Sequence, residues 1–321
     1  MKPVTKKILI VSTCCIAAGI ILTGAGLAAG GFPGLQITAS GIRSSSDEPE
    51  PYRLEKTQID PFTDMEIVID DGDLEILPST DGNCYLEYLL DGSGNEPDWE
   101  VSGGTFRFTQ DTVSTGGIFL FGTDLPELLS NPRVRLYLPR DMQLTDAEIT
   151  NRFGDVTAES LASDSLQITV EFGDLELKDC RSDDMELELD AGRLTASDTQ
   201  SDSLVLVNEY GDSELKNMVI RTADFTIEMG TLTLDASGIE TLTGINEYGD
   251  TELSIRDDLT LYSIDLYNDY GDIAIPDTLP GRVSEHDLFE HSYQSAADSD
   301  RSISFQAEMG DIELIQDKSD I

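Results

Sequence analysis

From about residue 52 onward the chain alternates apolar and polar positions in short runs broken by Gly, Asp and Ser. This is the two-residue period of strands with one buried face, and no stretch of the region keeps a helical period. The runs recur. Aligned on an aromatic-Gly-Asp motif, glycines fall at Gly154, Gly173, Gly192, Gly211, Gly230 and Gly249, each 19 residues from the last. Gly271 follows after 22 residues and Gly310 after another 39, read as two periods plus one. Within a period, apolar residues stand seven, five and three positions before the glycine (Leu166, Ile168, Val170) and two and four after it (Leu175, Leu177). The position directly before the glycine holds Phe153, Phe172, Tyr210, Met229, Tyr248, Tyr270 or Met309, a column assigned to core or near-core stacking. Inward parity is odd before the glycine and even after it, so the glycine marks a bend or bulge between two strands.

The pattern predicts an all-β fold, a single-chain parallel β-solenoid (β-helix) of 19-residue rungs, in which stacked rungs bury a continuous apolar column. Asn151, Asn208, Asn246 and Asn268 replace an apolar residue three before the glycine. Taken in chain order, only Asn246 and Asn268 fall on neighbouring rungs, so a stacked asparagine ladder is not expected and a structural role is. Three residues after the glycine, Thr157, Glu176, Thr195, Glu214, Thr233 and Glu252 alternate neutral with charged, which spaces like charges two rungs apart.

The regular rungs are assigned to residues 151–315, with a loop-out near 283–301 and a charged tail at 316–321 that discourages stacking at that end. Residues 52–150 are less regular; IVIDDGDLEIL at Ile67–Leu77 resembles a rung, and the strands around it are expected to cap and continue the stack. Residues 32–51, rich in Gly, Ser and Pro, read as a linker. Before it an uncharged run from Ile8 to Gly31 exceeds the ~20 residues needed to span a bilayer. Lys2, Lys6 and Lys7 precede that run, which predicts a cytoplasmic tail at 1–7, a single transmembrane helix at 8–31 and an exported body. A cleaved signal peptide, with Ala28-Ala29-Gly30 as the cleavage region, is the rival reading; the length of the run favours an uncleaved anchor.

Charge narrows the partners. The chain carries 20 basic and 63 acidic residues, a net charge of −43. Such a surface repels nucleic acid and anionic lipid headgroups and attracts cations or basic partners. Outside the anchor only Cys84 and Cys180 remain, too few for a disulfide framework.

The candidate chemistry is a pair of carboxylate columns. Two residues before the glycines stand Glu171, Asp190, Glu209, Glu228, Glu247, Asp269 and Glu308, and one residue after them Asp155, Asp174, Asp212, Asp250, Asp272 and Asp311. Of these, Glu171, Asp174, Glu209, Asp212, Glu247, Asp250, Asp269 and Asp272 are the candidate ligands for Ca²⁺, a hard cation that takes dense oxygen donors. Their spacing matches neither the EF-hand nor the nonapeptide calcium repeat. A solvated rim, with Arg193 pairing to Asp174 and Asp212, explains the same residues and is the favoured reading. His286 and His291 belong to the loop-out segment.

The order of a basic N-terminus, one apolar segment, Asp71-Gly72-Asp73, the strand Val134–Pro139 and a train of aromatic-Gly-Asp rungs resembles the bacterial putative-adhesin family of β-strand-repeat proteins, a domain of unknown function (4097), over residues 55–315. That resemblance implies a non-catalytic surface protein. The expected function is therefore a membrane-anchored extracytoplasmic adhesin or envelope-binding element, whose partner is an envelope protein, a glycan or a host-surface ligand. Two alternatives remain: a sensor ectodomain acting through a membrane partner, and a glycan-active lyase or hydrolase. Acids spread by the repeat, without converging on one rung, argue against the enzyme.

Overall fold

The computed structural model describes residues 35–38, 41–44, 50–92, 95–111, 118–121, 132–285 and 290–317. The expected membrane segment, its cytoplasmic tail and His286 lie outside these residues. Among the described residues no helix is long and apolar enough to cross a membrane. The chain divides into two compact units. In the first, the strands Leu35–Thr38, Gly41–Ser44 and Ile118–Phe121 form a three-stranded antiparallel sheet. Two of these strands fall inside the stretch read as linker, where four-residue alternations are too short to stand out from Gly and Ser.

The second unit is all-β, and among its described residues the one helical element is the 3₁₀ turn Leu259–Leu261. Its repeating element is a coil: a long strand such as Ala162–Phe172, the bend at Gly173, the short strand Leu175–Lys178, and a corner at Asp179. Equivalent positions pair in parallel at a spacing of 19 residues, so that Ile149, Ile168, Leu187, Leu206 and Phe225 lie side by side. The short strands do the same through Val156, Leu175, Leu194, Ser213 and Leu232. Both columns point inward and form one buried apolar core. Gly244 continues the first column, set between Phe225 and Phe305; a Cβ there would lie 2.4 Å from the Phe305 ring, so the missing side chain is what lets two rings share the interior.

Stack order departs from chain order at both ends. The Gly249 coil does not pair with the Gly271 coil that follows it in sequence. The strands Thr241–Tyr248 and Thr251–Ile255 pair instead with Ser302–Met309 and Ile312–Gln316. Those in turn pair on their far side with Ser263–Tyr270 and Ile273–Ala274. The Gly310 coil is thus inserted between the Gly249 and Gly271 coils. The three extra residues before Gly271 give the chain the length to step over one coil position, about 4.8 Å.

The segment expected to loop out is ordered in large part. Gly281–Glu285 and His291–Ser295 form an antiparallel hairpin that pairs onto Ser263–Tyr270 and covers the outer long strand. That hairpin, rather than a charged tail, shields this end, because Ile312–Gln316 lies within the stack. At the opposite end the strand Asp64–Ile69 of the Gly72 coil pairs with the Gly154 coil on one side and with Thr105–Gln110 on the other. Arg133–Pro139 pairs in parallel with Asp73–Ser79 and antiparallel with Cys84–Leu90. Antiparallel strands thus terminate the stack beyond the Gly72 coil as well.

Candidate binding stripe

The bends decide what the coil presents to solvent. A Cβ added at Gly173, Gly192, Gly211, Gly230, Gly249, Gly271 or Gly310 would lie about 2 Å from the carbonyl oxygen of the neighbouring bend glycine, and at Gly154 it would lie 2.4 Å from that of Gly72. Glycine is required because successive backbones touch there. At most bends φ also lies between +132° and +158°. The glycine N–H donates to the carbonyl one residue before the next coil's glycine, as from Gly173 to Ala191 (3.1 Å). The following N–H finds a side chain. Asp174 N donates to Asp155 Oδ1 (2.8 Å), Arg193 N to Asp174 Oδ1 (2.8 Å) and Thr231 N to Asp212 Oδ1 (3.1 Å). Past the inserted coil, Asp311 N donates to Asp250 Oδ1 (2.9 Å) and Asp272 N to Asp311 Oδ1 (2.8 Å). The aspartates after the glycines therefore stitch bend to bend.

The buried asparagines serve the same bends. Asn151, Asn208, Asn246 and Asn268 are fully buried, and no two are neighbours in the stack, since Ala307 separates Asn246 from Asn268. This corrects the neighbouring placement expected for the last pair. Asn151 Nδ2 donates to Gly72 O (3.0 Å), Asn246 Nδ2 to Gly230 O (3.1 Å) and Asn268 Nδ2 to Gly310 O (2.7 Å). Asn208 and Asn246 also donate to Ser213 Oγ (3.0 Å) and Thr251 Oγ1 (3.1 Å), polar residues where other coils have Leu, Val or Ile.

The column before the glycines is not core. Phe153, Phe172, Tyr210, Met229, Tyr248, Met309 and Tyr270 are 42–57% exposed. The parity break comes one residue earlier than expected, so the four positions from two before the glycine to one after it all lie outside the core. In stack order Phe153, Phe172, Ala191, Tyr210, Met229, Tyr248, Met309 and Tyr270 are direct neighbours. At ~4.8 Å per coil they form a ladder about 34 Å long. The Phe153 and Phe172 rings stack with centroids 5.2 Å apart. One signal was available in the sequence: the inward positions hold mostly Leu, Ile, Val and Phe, whereas this column holds three amphipathic tyrosines.

Carboxylates flank the ladder on both sides. On one side stand Glu171, Asp190, Glu209, Glu228, Glu247, Glu308 and Asp269; on the other the bend aspartates. Burial, together with Glu228, Asp190 and Glu188, pushes the Glu209 carboxyl above its ordinary range. Arg152, Arg193 and His291 touch this system. Arg152 sits 2.6 Å from Asp70 and 3.4 Å from Glu171. Arg193 reaches Asp212 at 3.5 Å, and His291 Nδ1 lies 2.6 Å from Gly271 O and 3.8 Å from Asp272. Asp269 Oδ1 accepts the Tyr267 hydroxyl at 2.6 Å. The candidate calcium ligands fall on every second coil of the stack, and among the described residues no three Asp, Glu, His or Cys side chains converge as a metal site. Cys84 and Cys180 are buried free thiols.

The profile of the Toastrack family (DUF4097) matches residues 62–315. The chain belongs to the Toastrack family. No curated protein matches its sequence. Among solved structures, a putative adhesin from Parabacteroides distasonis is 11% identical over 83% of this Toastrack chain and 98% of its own, with a TM-score of 0.46. A putative adhesin from Parabacteroides merdae is 10% identical, covering 83% and 97%, with a TM-score of 0.44. A putative lipid binding protein from Parabacteroides distasonis is 14% identical over 83% and 97%, with a TM-score of 0.40.

Proposed function

We propose that this Toastrack chain is a non-catalytic binding protein, tethered by its N-terminal apolar segment and acting outside the cytoplasm as an adhesive element of the cell envelope. The observation that carries this reading is the exposed ladder from Phe153 to Tyr270. Aromatic and methionine side chains in an exposed row, interrupted only at Ala191, are costly to leave in water, and contiguous patches of this kind mark interaction surfaces. The carboxylates beside it are repeated coil by coil, which supports a surface that binds along its length over a cleft that does chemistry at one point. The lysines and uncharged run at the N-terminus support the anchored placement.

The test is to display the full chain on a bacterium that lacks it and to measure retention on protein-coated and glycan-coated surfaces under flow. Cells carrying the wild-type chain should be retained on at least one surface. Cells carrying Tyr210→Ser, Tyr248→Ser and Tyr270→Ser together should be lost at equal surface expression. Equal retention of the two strains, or none by either, would overturn the adhesive reading.

A further inference from the structure

The ladder divides into two stretches that differ in how their acids are neutralised. Beside Phe153 and Phe172 the chain supplies its own guanidinium groups. Arg152 interrupts the acid column before the glycines, bridging Asp70 and Glu171. Arg193 interrupts the aspartate column on the coil where Ala191 leaves the ladder without a ring. From the Gly211 coil onward the pattern changes. The exposed residues run Tyr210, Met229, Tyr248, Met309, Tyr270 in stack order. The acid column beside them is Glu209, Glu228, Glu247, Glu308, Asp269, and the column on the other side is Asp212, Thr231, Asp250, Asp311, Asp272. Neither column contains a basic residue over these coils. Among the described residues only Arg193 at one end and His291 at the other reach in.

We propose that this Tyr/Met stretch docks an extended cationic segment of a partner polypeptide, with Arg and Lys side chains lying over the rings and between the two carboxylate columns. This deepens the binding reading above and rests on it. Charge complementarity selects the occupant. A second copy of this chain brings another net −43 to the same surface and is repelled, as are anionic lipids and nucleic acids. A neutral glycan stacks on tyrosine but leaves the carboxylates facing one another. An arginine or lysine answers both features at once, through cation–π contact with the ring and charge-assisted hydrogen bonds to the acids. The bend aspartates keep capacity for this, because a carboxylate that accepts an N–H at Oδ1 still has its second oxygen. Methionines between the tyrosines adapt to side chains of differing shape. The polarised, repeating surface gives an extended chain the same environment at every step.

The experiment measures fluorescence anisotropy of a labelled oligoarginine peptide with the full chain in detergent micelles at constant ionic strength. Wild type should bind. Tyr210→Ser/Tyr248→Ser/Tyr270→Ser, which changes no charge, should bind about tenfold more weakly, as should Glu209→Gln/Glu228→Gln/Glu247→Gln. The exposed acids Glu148, Glu176 and Glu186, changed together to Gln as a control of equal charge, should weaken binding by less than about threefold. Tyr248→Ser alone, expected to lose about threefold, serves if the triple tyrosine variant unfolds by circular dichroism. Absence of binding by wild type, unchanged binding by the tyrosine variants, equal losses in the two acid sets, or competition by neutral oligosaccharide as strong as by unlabelled peptide would each overturn the cationic partner. No peptide binding by wild type, with retention of wild-type cells and its loss in the tyrosine variant intact, would overturn this inference alone; peptide binding by wild type with no retention of wild-type cells would overturn the adhesive reading alone.

Discussion

At Gly192 an added Cβ would sit 1.8 Å from the carbonyl oxygen of Gly173, and φ there is +158°. Steric collision with backbone leaves nothing flexible to yield. Gly192→Ala should therefore destabilise the folded unit by more than about 3 kcal/mol, read as a fall in thermal midpoint. Glu209 acts through charge. Its carboxyl is raised in the folded state above its ordinary 4.5, chiefly by burial and then by Glu228 and Asp190, so it favours folding below that pH and loses this contribution as pH rises through the folded value. Glu209→Gln should accordingly raise the melting temperature at pH 7 and give no gain below pH 4. The sequence marked both residues by their place in the repeat. It did not reveal that the neighbouring aspartates are acceptors for the next coil's N–H, because that bond joins residues whose closeness follows only from the bend. Nor did it place Tyr210 or Tyr248 outside, since the parity break fits equally well one residue to either side.

The coil as an element was legible for a physical reason: each strand buries one face, so leucines and isoleucines recur at fixed distances from a glycine that nothing else can replace. Which coil touches which was not. Spacing along the chain records how much backbone lies between two bends and carries no information on the order in which they stack, so the gap of 39 residues before Gly310 was compatible with a regular succession. The insertion predicts cross-links that a regular succession forbids. Thr243 lies opposite Ser304 in parallel register, and Ser304 opposite Asp265. Thr243→Cys with Ser304→Cys should form a disulfide under mild oxidation, whereas Thr243→Cys with Asp265→Cys should not; mass spectrometry of the digested protein would read both. The hairpin Gly281–Glu285 and His291–Ser295 escaped the sequence reading because it pairs antiparallel and breaks the repeat it protects.

Over the whole molecule the net charge of −43 sets how stability responds to solution conditions. Carboxylates arranged one per coil repel their neighbours, and any counter-ion relieves that repulsion by screening. Because among the described residues no three of these carboxylates converge, Ca²⁺ and Mg²⁺ at equal millimolar concentration should raise the melting temperature by similar, small and non-saturating amounts. A saturable shift with Ca²⁺ alone would show that ligands do converge.

The insertion of the last coil between two earlier ones has a consequence for biogenesis. A chain made from its N-terminus brings the Gly271 coil and its covering hairpin out before the strands that join them to the rest of the stack. Until residues 302–316 emerge, the Gly249 coil presents an open parallel edge and the Gly271 coil has no neighbour on its inner side. Completion of the polypeptide and closure of the stack are therefore one event. A product cut short by a few dozen residues loses more than its end: it leaves a gap in its interior, with two sticky edges that proteases are placed to find.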